Sequence, residues 1–132
     1  MPDWHIGNVG ALVLNEAVKG YIKHERDAVT ALHPIYGVMA QMPCERLWPW
    51  LAQQLKPGSP PGNAYQGWIN DNYDYKHEFL LSNYLDQWFG SNPDQYDEAV
   101  ALAVLRGSVI GELNLFRSAC GEALEPMPTI PG

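Results

Sequence analysis

The stretch from Ala99 to Ala119, AVALAVLRGSVIGELNLFRSA, is the most informative part of this sequence about its fold. Between Ala99 and Leu105 the residues are apolar nearly all round a helix, which is typical of a buried helix. Small residues recur every four positions and so share one face: Ala99, Ala103, Gly107 and Gly111. Because glycine inside a helix costs about 0.5–1 kcal/mol relative to alanine, this stripe predicts close packing of another backbone or space for a ligand.

Helical periodicity continues upstream of this stretch, and strand-like alternation rich in Val, Ile and Thr is missing. We expect helices over about residues 8–32, 34–55, 64–70 and 75–89. The final helix should begin after an Asn92 cap, with Pro93 at its first position, and end near Ala123. Pro43 and Pro49 should bend or locally break the second helix. The sequence therefore predicts an all-α helical bundle, with one helical domain over residues 1–125 and an extended or frayed Pro-rich tail over residues 126–132.

Composition and charge restrict the classes of function. The chain has 132 residues, of which 46% are hydrophobic and only 17% charged, and its net charge is −7. So little charge predicts that the chain buries much of itself, binds a partner subunit or encloses a ligand. We expect no nucleic-acid partner, because no Lys/Arg cluster exists, and no membrane partner, because the apolar run from Ala99 stops at Arg106. The two cysteines and the absence of a basic secretory leader predict a cytoplasmic protein.

Few side chains are candidates for chemistry, and each has a structural alternative. Cys44, next to Pro43, is either a nucleophile in a shaped pocket or a small apolar core residue. Glu112 stands among apolar residues and is either a paired structural carboxylate or a functional one. Tyr21 and His24 share a helix face, where they line a pocket or form a hydrogen-bonded core pair. The middle segment is rich in aromatic residues. We expect these mainly in the core and in packing between helices, or else stacked on a flat heterocycle: Tyr65, Trp68, Tyr73, Tyr75 and Tyr84.

Metal and cofactor motifs are missing from the sequence. The four histidines show no metal-ligand spacing, and Cys44 and Cys120 lie far apart. Phosphate-binding loops, dinucleotide fingerprints, nucleophile elbows and zinc-protease motifs are absent as well. We therefore expect no metal and no cofactor.

Four short segments stand in an order and at spacings that are similar to one enzyme family. They are Tyr21-Ile22-Lys23-His24, Met42-Pro43-Cys44, Asn63-Ala64-Tyr65-Gln66-Gly67-Trp68-Ile69 and Glu112-Leu113-Asn114-Leu115-Phe116-Arg117-Ser118-Ala119. In register, they resemble the TenA family (thiaminase II, aminopyrimidine aminohydrolase). The resemblance covers most of the chain, from about Tyr21 to Ala119.

The resemblance implies an all-helical, haem-oxygenase-like fold without haem, and hydrolysis of a C–N bond in a thiamin-related aminopyrimidine. It implies that Cys44 is the nucleophile that attacks the ring, that Glu112 moves the proton as acid and base, and that Tyr21 helps to activate the cysteine. A lowered pKa of the Cys44 thiol would suit this role. Four side chains are then expected to bind the substrate: His24, Trp48, Tyr73 and Phe116. Tyr73 matches a family tyrosine if one residue is inserted before it. Trp48 stands at the position of another tyrosine of the family, one turn after the cysteine.

The family's two N-terminal helices carry an aspartate that holds the pyrimidine and an aromatic residue that stacks on it. Before Tyr21, the segment Asp3-Trp4-His5 could offer an acid and an aromatic residue in their place. We therefore expect at least a homodimer, in which a second chain supplies the side of the pocket that these two helices form in the family. That side would enclose the small-molecule aminopyrimidine. The alternative is a non-catalytic helical module that binds a ligand or drives oligomerisation, derived from the same fold.

Overall fold

The computed structural model describes residues 13–73 and 79–130, and within these ranges the chain forms five α-helices and no strand. The helices are α1 (Glu16–Ala31), α2 (Pro34–Leu55), α3 (Gln66–Tyr73), α4 (Leu80–Ser91) and α5 (Glu98–Ala119), with a 3₁₀ turn at Lys56–Gly58 after α2. The all-α prediction is therefore confirmed.

The helices pack around α2 and α5. Helices α1, α2 and α5 contact one another in all three pairs, and α3 and α4 pack on α2. The main core is built from small and medium apolar side chains of four helices: Ala28, Ile35, Tyr36, Met39, Ala40, Leu85, Ala101 and Val104. Alanines at three of these eight positions let the helix backbones approach closely, so that each helix is fixed in position by its neighbours.

Side chains close to the helix ends satisfy the free backbone N–H groups there. Asn15 accepts a hydrogen bond from the Val18 N–H at the start of α1, and the His33 ring accepts one from Ile35 at the start of α2. The Phe79 side chain at the start of α4 does not cap that helix. The backbone N–H groups of Leu81 and Ser82 instead donate to the Glu45 carboxylate of α2. This bond pattern holds the N-terminus of α4 against the middle of α2.

The prediction of the last helix was wrong at its start. Asp97 is the N-cap, because its carboxylate accepts from the N–H groups of Ala99 and Val100. Asn92 instead ends α4, where its N–H donates to the Phe89 carbonyl. The helix ends at Ala119 rather than Ala123, two residues before Gly121 takes a φ of 70°.

The other predicted bounds differ less from the structure. Helix α2 has the predicted limits, and it is not broken at Pro43 or Pro49. Helix α1 starts at Glu16, and residues 8–12 of its predicted span lie outside the described residues. Helix α3 starts two residues later than predicted, and for α4 the predicted start at Tyr75 lies in the undescribed range 74–78.

The described part of the Pro-rich tail, expected to be extended or frayed, has no regular secondary structure and packs on the helices. The Asn114 side chain of α5 donates to the Glu125 carbonyl and accepts from the Glu125 N–H, at 2.9 and 2.8 Å. Farther along, Met127 lies against Gly20 of α1, and Ile130 packs on the main core. Residues 125–130 therefore add apolar cover to α1 and α5.

Helix α5 has 22 residues and is long and apolar enough to cross a membrane by length and composition alone. The uncharged apolar run within this helix is shorter, because it stops at Arg106. A core helix of a globular protein has the same features, and α5 here packs against both α1 and α2.

Candidate active site

The seam between α1 and α5 is unusually close because two glycines of α5 face α1. A methyl group added at Gly111 would lie 1.6 Å from the Tyr21 ring, and one at Gly107 would lie 2.0 Å from the His24 ring. Real side chains cannot approach that closely, so only glycine fits at either position. The glycine half of the predicted small-residue stripe therefore does provide for close packing, and it places Tyr21 directly over α5.

One polar contact across this seam joins Tyr21 to Glu112. The Tyr21 hydroxyl donates to Glu112 Oε1 at 3.0 Å. The Glu112 residue is only 5% exposed, and its second oxygen, Oε2, is buried without a hydrogen-bond partner of normal geometry among the described residues. A carboxylate in this setting costs free energy unless a proton, a cation or a ligand compensates.

Cys44 of α2 completes a group of three side chains from three helices. Its thiol is partly buried beside Glu112, and the Trp48 Nε1–H donates to its sulfur at 2.8 Å. Burial raises the pKa of this thiol, and the charge and hydrogen bonding of Glu112 raise it further, whereas the Trp48 N–H acts in the opposite direction. The net direction is upward, so the expected lowered pKa of Cys44 was wrong, and the resting group is a thiol.

Burial and the neighbouring Glu112 carboxylate also raise the pKa of Tyr21. The phenol therefore keeps its proton near neutral pH and acts as a hydrogen-bond donor. Its proton is directed at Glu112, and Cys44 lies close enough for its charge to be felt by the Tyr21 hydroxyl. Tyr21 can thus act on the cysteine through the carboxylate that lies beside both.

A second carboxylate at this seam escaped the sequence analysis. Glu25 Oε1 accepts from the Ser108 hydroxyl at 3.0 Å, and its Oε2 is buried without a partner among the described residues. Burial and the charge of Glu112 raise the pKa of Glu25, although Ser108 lowers it. The one available signal was that Glu25 follows Tyr21 by four residues and so lies on the same face of α1.

An open cavity of about 650 Å³ lies between α2 and α5 and reaches Glu112. Besides Glu112 and Arg46, its walls are apolar: Pro43, Leu47, Trp50, Leu51, Val109, Leu113 and Phe116. The Phe116 ring also lies near Trp48, with centroids 6.4 Å apart. A flat organic ligand could therefore lie against aliphatic and aromatic walls in this cavity.

The remaining predicted substrate contacts lie farther from this cavity. His24 is 4% exposed, and its Nε2 pairs with the Val104 carbonyl at 2.9 Å, an arrangement that favours the alternative of a core residue. Tyr73 ends α3 with the Lys56 ammonium 3.8 Å from its ring centroid. Substrate contact by either residue stays a prediction, whereas Trp48 and Phe116 lie beside the cysteine and the cavity.

The aromatic residues of the middle segment were expected mainly in the core and in packing between helices, and the four that the structure describes do not lie in the core. They are exposed at 38–54%: Tyr65, Trp68, Tyr73 and Tyr84. Tyr75 lies outside the described residues. Trp68 makes an edge-to-face contact with Trp48, so the segment is connected to the cysteine through that ring. Within residues 13–73 and 79–130, no group of three or more His, Cys, Asp or Glu residues could hold a metal ion.

Comparison of the chain with protein-family models, with curated proteins and with solved structures found no match.

Proposed function

We propose that this chain is a TenA-like hydrolase that cleaves a C–N bond of a thiamin-related aminopyrimidine, within a haem-oxygenase-like arrangement of helices. The observation that carries the proposal is the meeting of Tyr21, Cys44 and Glu112 from α1, α2 and α5. These three residues come from three of the four segments on which the family resemblance rests, and they are far apart in the sequence. The apolar cavity beside Glu112 supports a flat substrate.

The raised pKa of the Cys44 thiol determines how the reaction must begin. A protonated thiol is a poor nucleophile, so its proton has to leave as the sulfur forms a bond with a ring carbon. Glu112 lies beside the thiol and is the base for that proton, which it then returns to the departing amine nitrogen. Water supplies the hydroxyl of the alcohol product, the bond between the sulfur and the ring carbon then breaks, and the remaining proton of the water restores the thiol. One C–N bond is thus exchanged for one C–O bond.

Tyr21 and Trp48 support the two ends of this proton transfer. The Tyr21 hydroxyl donates to Glu112 Oε1 and so fixes the carboxylate, leaving Oε2 available to the thiol or the substrate. The Trp48 N–H donates to the sulfur and stabilises negative charge there as the proton leaves. Both roles need a hydrogen-bond donor and no charged group.

A second candidate function is a non-catalytic module that binds a ligand or assembles with a second chain. The exposed apolar side chains around the cavity favour it, since Trp50, Val109 and Phe116 are each between 42% and 54% exposed. A homodimer that covers this wall is compatible with either function, and we propose it for both.

Turnover of thiamin and of 4-amino-5-aminomethyl-2-methylpyrimidine tests the proposal. Wild type should release product from at least one compound, and Cys44→Ala should lose at least about a hundredfold in rate. Cys120→Ala is the matched control, because that cysteine is exposed and should be dispensable. Absence of turnover of both compounds by folded wild type would favour the module, and full activity of Cys44→Ala would exclude the cysteine as nucleophile.

A further inference from the structure

Helix α5 carries an exposed ridge that the described part of the chain leaves uncovered. Its members stand at alternating intervals of four and three residues: Leu102, Arg106, Val109, Leu113 and Phe116. The four apolar side chains of this α5 ridge are 41–58% exposed, although other faces of α5 pack on α1 and α2. An average spacing of 3.5 residues is typical of a helix that packs lengthwise against another helix. The spacing therefore predicts a helical partner along the α5 ridge.

A groove lies directly beside the α5 ridge. It is the open cavity of about 650 Å³, with Val109, Leu113 and Phe116 on one wall and side chains of α2, including Trp50, on the other. Helices pack by placing the side-chain ridge of one into the groove of its neighbour. Because this chain carries a ridge and a groove side by side, a two-fold axis lets the ridge of each copy enter the groove of the other. The surface is therefore complementary to itself.

The apolar area of this surface is large enough for a specific interface. The apolar ridge residues and Trp50 expose on the order of 500 Å² per copy, so that a pair buries about 1,000 Å² from these side chains alone, the lower limit for a specific interface. The charged residues of the ridge and the cavity wall are Arg46, Arg106 and the buried Glu112. Interfaces favour aromatic residues and arginine over lysine and acids, whereas the whole chain has 15 acidic and 8 basic residues.

Arg106 decides the direction in which the second α5 runs. None of the ion pairs among the described residues includes it. In a parallel two-fold pair each Arg106 would meet the other, which is unfavourable for like charges. In an antiparallel pair with Val109 on the axis, Leu102 lies opposite Phe116 of the second copy, and Arg106 lies opposite Glu112. The guanidinium then faces a position of opposite charge, although the Glu112 carboxylate itself stays buried.

We infer that two copies of this chain pair through the α5 ridge, antiparallel about a two-fold axis at Val109, with each ridge against the groove of the other copy. This inference rests on the homodimer in the proposed function and names its surface. It does not depend on catalysis, since the spacing, exposure and charge of the ridge carry it. The second copy closes the open side of the cavity, so a ligand beside Glu112 is enclosed between two chains.

Sedimentation equilibrium of the full chain at micromolar concentration measures the pairing. Wild type should have twice the monomer mass of 14.8 kDa. Val109→Glu brings two carboxylates together on the axis and should raise the dissociation constant at least about a hundredfold. Val29→Glu is the matched control, because Val29 is 52% exposed against 54% for Val109 and lies on α1. It should leave the dimer unchanged.

Crosslinking by a short bismaleimide tests the direction of the two helices. A Cys120→Ala background removes the exposed native thiol. A mixture of Leu102→Cys and Phe116→Cys chains should give a crosslinked dimer. Leu102→Cys alone should give none, because its two thiols lie about 21 Å apart along antiparallel helices.

Monomeric wild type, a dimer that Val109→Glu leaves intact, or crosslinking of Leu102→Cys to itself would overturn the inference. A monomer that binds neutral lipid vesicles would overturn it in favour of a membrane on the ridge. If Val109→Glu does not fold, the crosslinking pattern decides alone. Turnover by monomeric wild type would remove this interface and keep the hydrolase, whereas a dimer that turns over neither compound would remove the hydrolase and keep the interface.

Discussion

Helix α5 meets its two long neighbours in opposite ways. Towards α1 it presents Gly107 and Gly111, and the Tyr21 and His24 rings fill the space that side chains would need. Towards α2 it presents Val109, Leu113 and Phe116, and the two helices leave an open cavity of about 650 Å³ between them. One helix therefore forms a tight seam on one side and an open wall on the other.

Glu112 lies where these two surfaces meet. The seam supplies polar partners, Tyr21 for Glu112 and Ser108 for Glu25. The open wall is almost entirely apolar and supplies space for a ligand next to the buried carboxylate. The close packing therefore fixes the polar groups, whereas the looser packing leaves room beside them.

The largest effect is expected from closing the space at the seam. Gly111→Ala places a methyl group inside the Tyr21 ring, so either the ring or the helix must move. We expect a loss of about 3 kcal/mol in the free energy of unfolding, measured by urea denaturation. Turnover should fall as well, because Tyr21 can no longer donate to Glu112.

Gly90→Ala in α4 is the matched control, because a methyl group there meets no atom within 4 Å. It should stabilise the chain by up to about 1 kcal/mol, the ordinary gain from replacing a helical glycine. Unchanged stability of Gly111→Ala would show that the seam can widen, and the contrast with the open wall would then lose its basis.

A smaller effect is expected for the rate at which iodoacetamide alkylates Cys44. The rate should change in opposite directions in two variants. The Glu112 charge raises the pKa of this thiol and the Trp48 N–H lowers it. Glu112→Gln should therefore speed labelling by about threefold to tenfold, and Trp48→Phe should slow it by a similar factor.

Exposed Cys120 is the internal reference in both variants and should label at an unchanged rate. Slower labelling in Glu112→Gln would mean that the carboxylate already removes the thiol proton in the resting protein. The same rate in Trp48→Phe as in wild type would mean that the Trp48 N–H does not act on the sulfur.

The parts of this fold that the sequence predicts are those with local causes. The limits of α2 follow from Pro34 and the Pro/Gly-rich loop after Leu55, and the close approach at α5 follows from the four-residue spacing of Gly107 and Gly111. The start of α5 was missed because Asn92-Pro93 and Asp97 both carry cap signals, and only packing decides between them. The Asp97 backbone N–H donates to the Tyr36 hydroxyl, 61 residues away in sequence.

The sequence predicted three of the side chains that meet at the candidate site, but it did not predict their electrostatics. The order and spacing of the four family-like segments pointed to Tyr21, Cys44 and Glu112. The helices do bring these three side chains together. Glu25 was missed because it stands in the charged run Lys23-His24-Glu25-Arg26-Asp27, which is typical of an exposed helix face. Its pairing with Ser108 depends on the register of α1 against α5, which no local pattern contains. The raised pKa of Cys44 depends in turn on the packing of α2 against α5, which brings Glu112 to the thiol.

The smallest effect is expected from neutralising Glu25, and its size depends on pH. The raised pKa of Glu25 means that folding favours its protonated form, so its contribution to stability is present below its unfolded pKa, near 4.5, and is lost as pH rises through the folded value. Glu25→Gln cannot ionise and should be more stable than wild type near pH 7 by about 0.5–1 kcal/mol, a modest gain because the site is half-buried and screened by solvent. Near pH 4 the advantage should vanish, whereas Glu122→Gln should show no such pH dependence. Urea titrations of the three proteins at both pH values measure this. An equal stabilisation of Glu25→Gln at both pH values would mean that ionisation of Glu25 does not destabilise the folded protein.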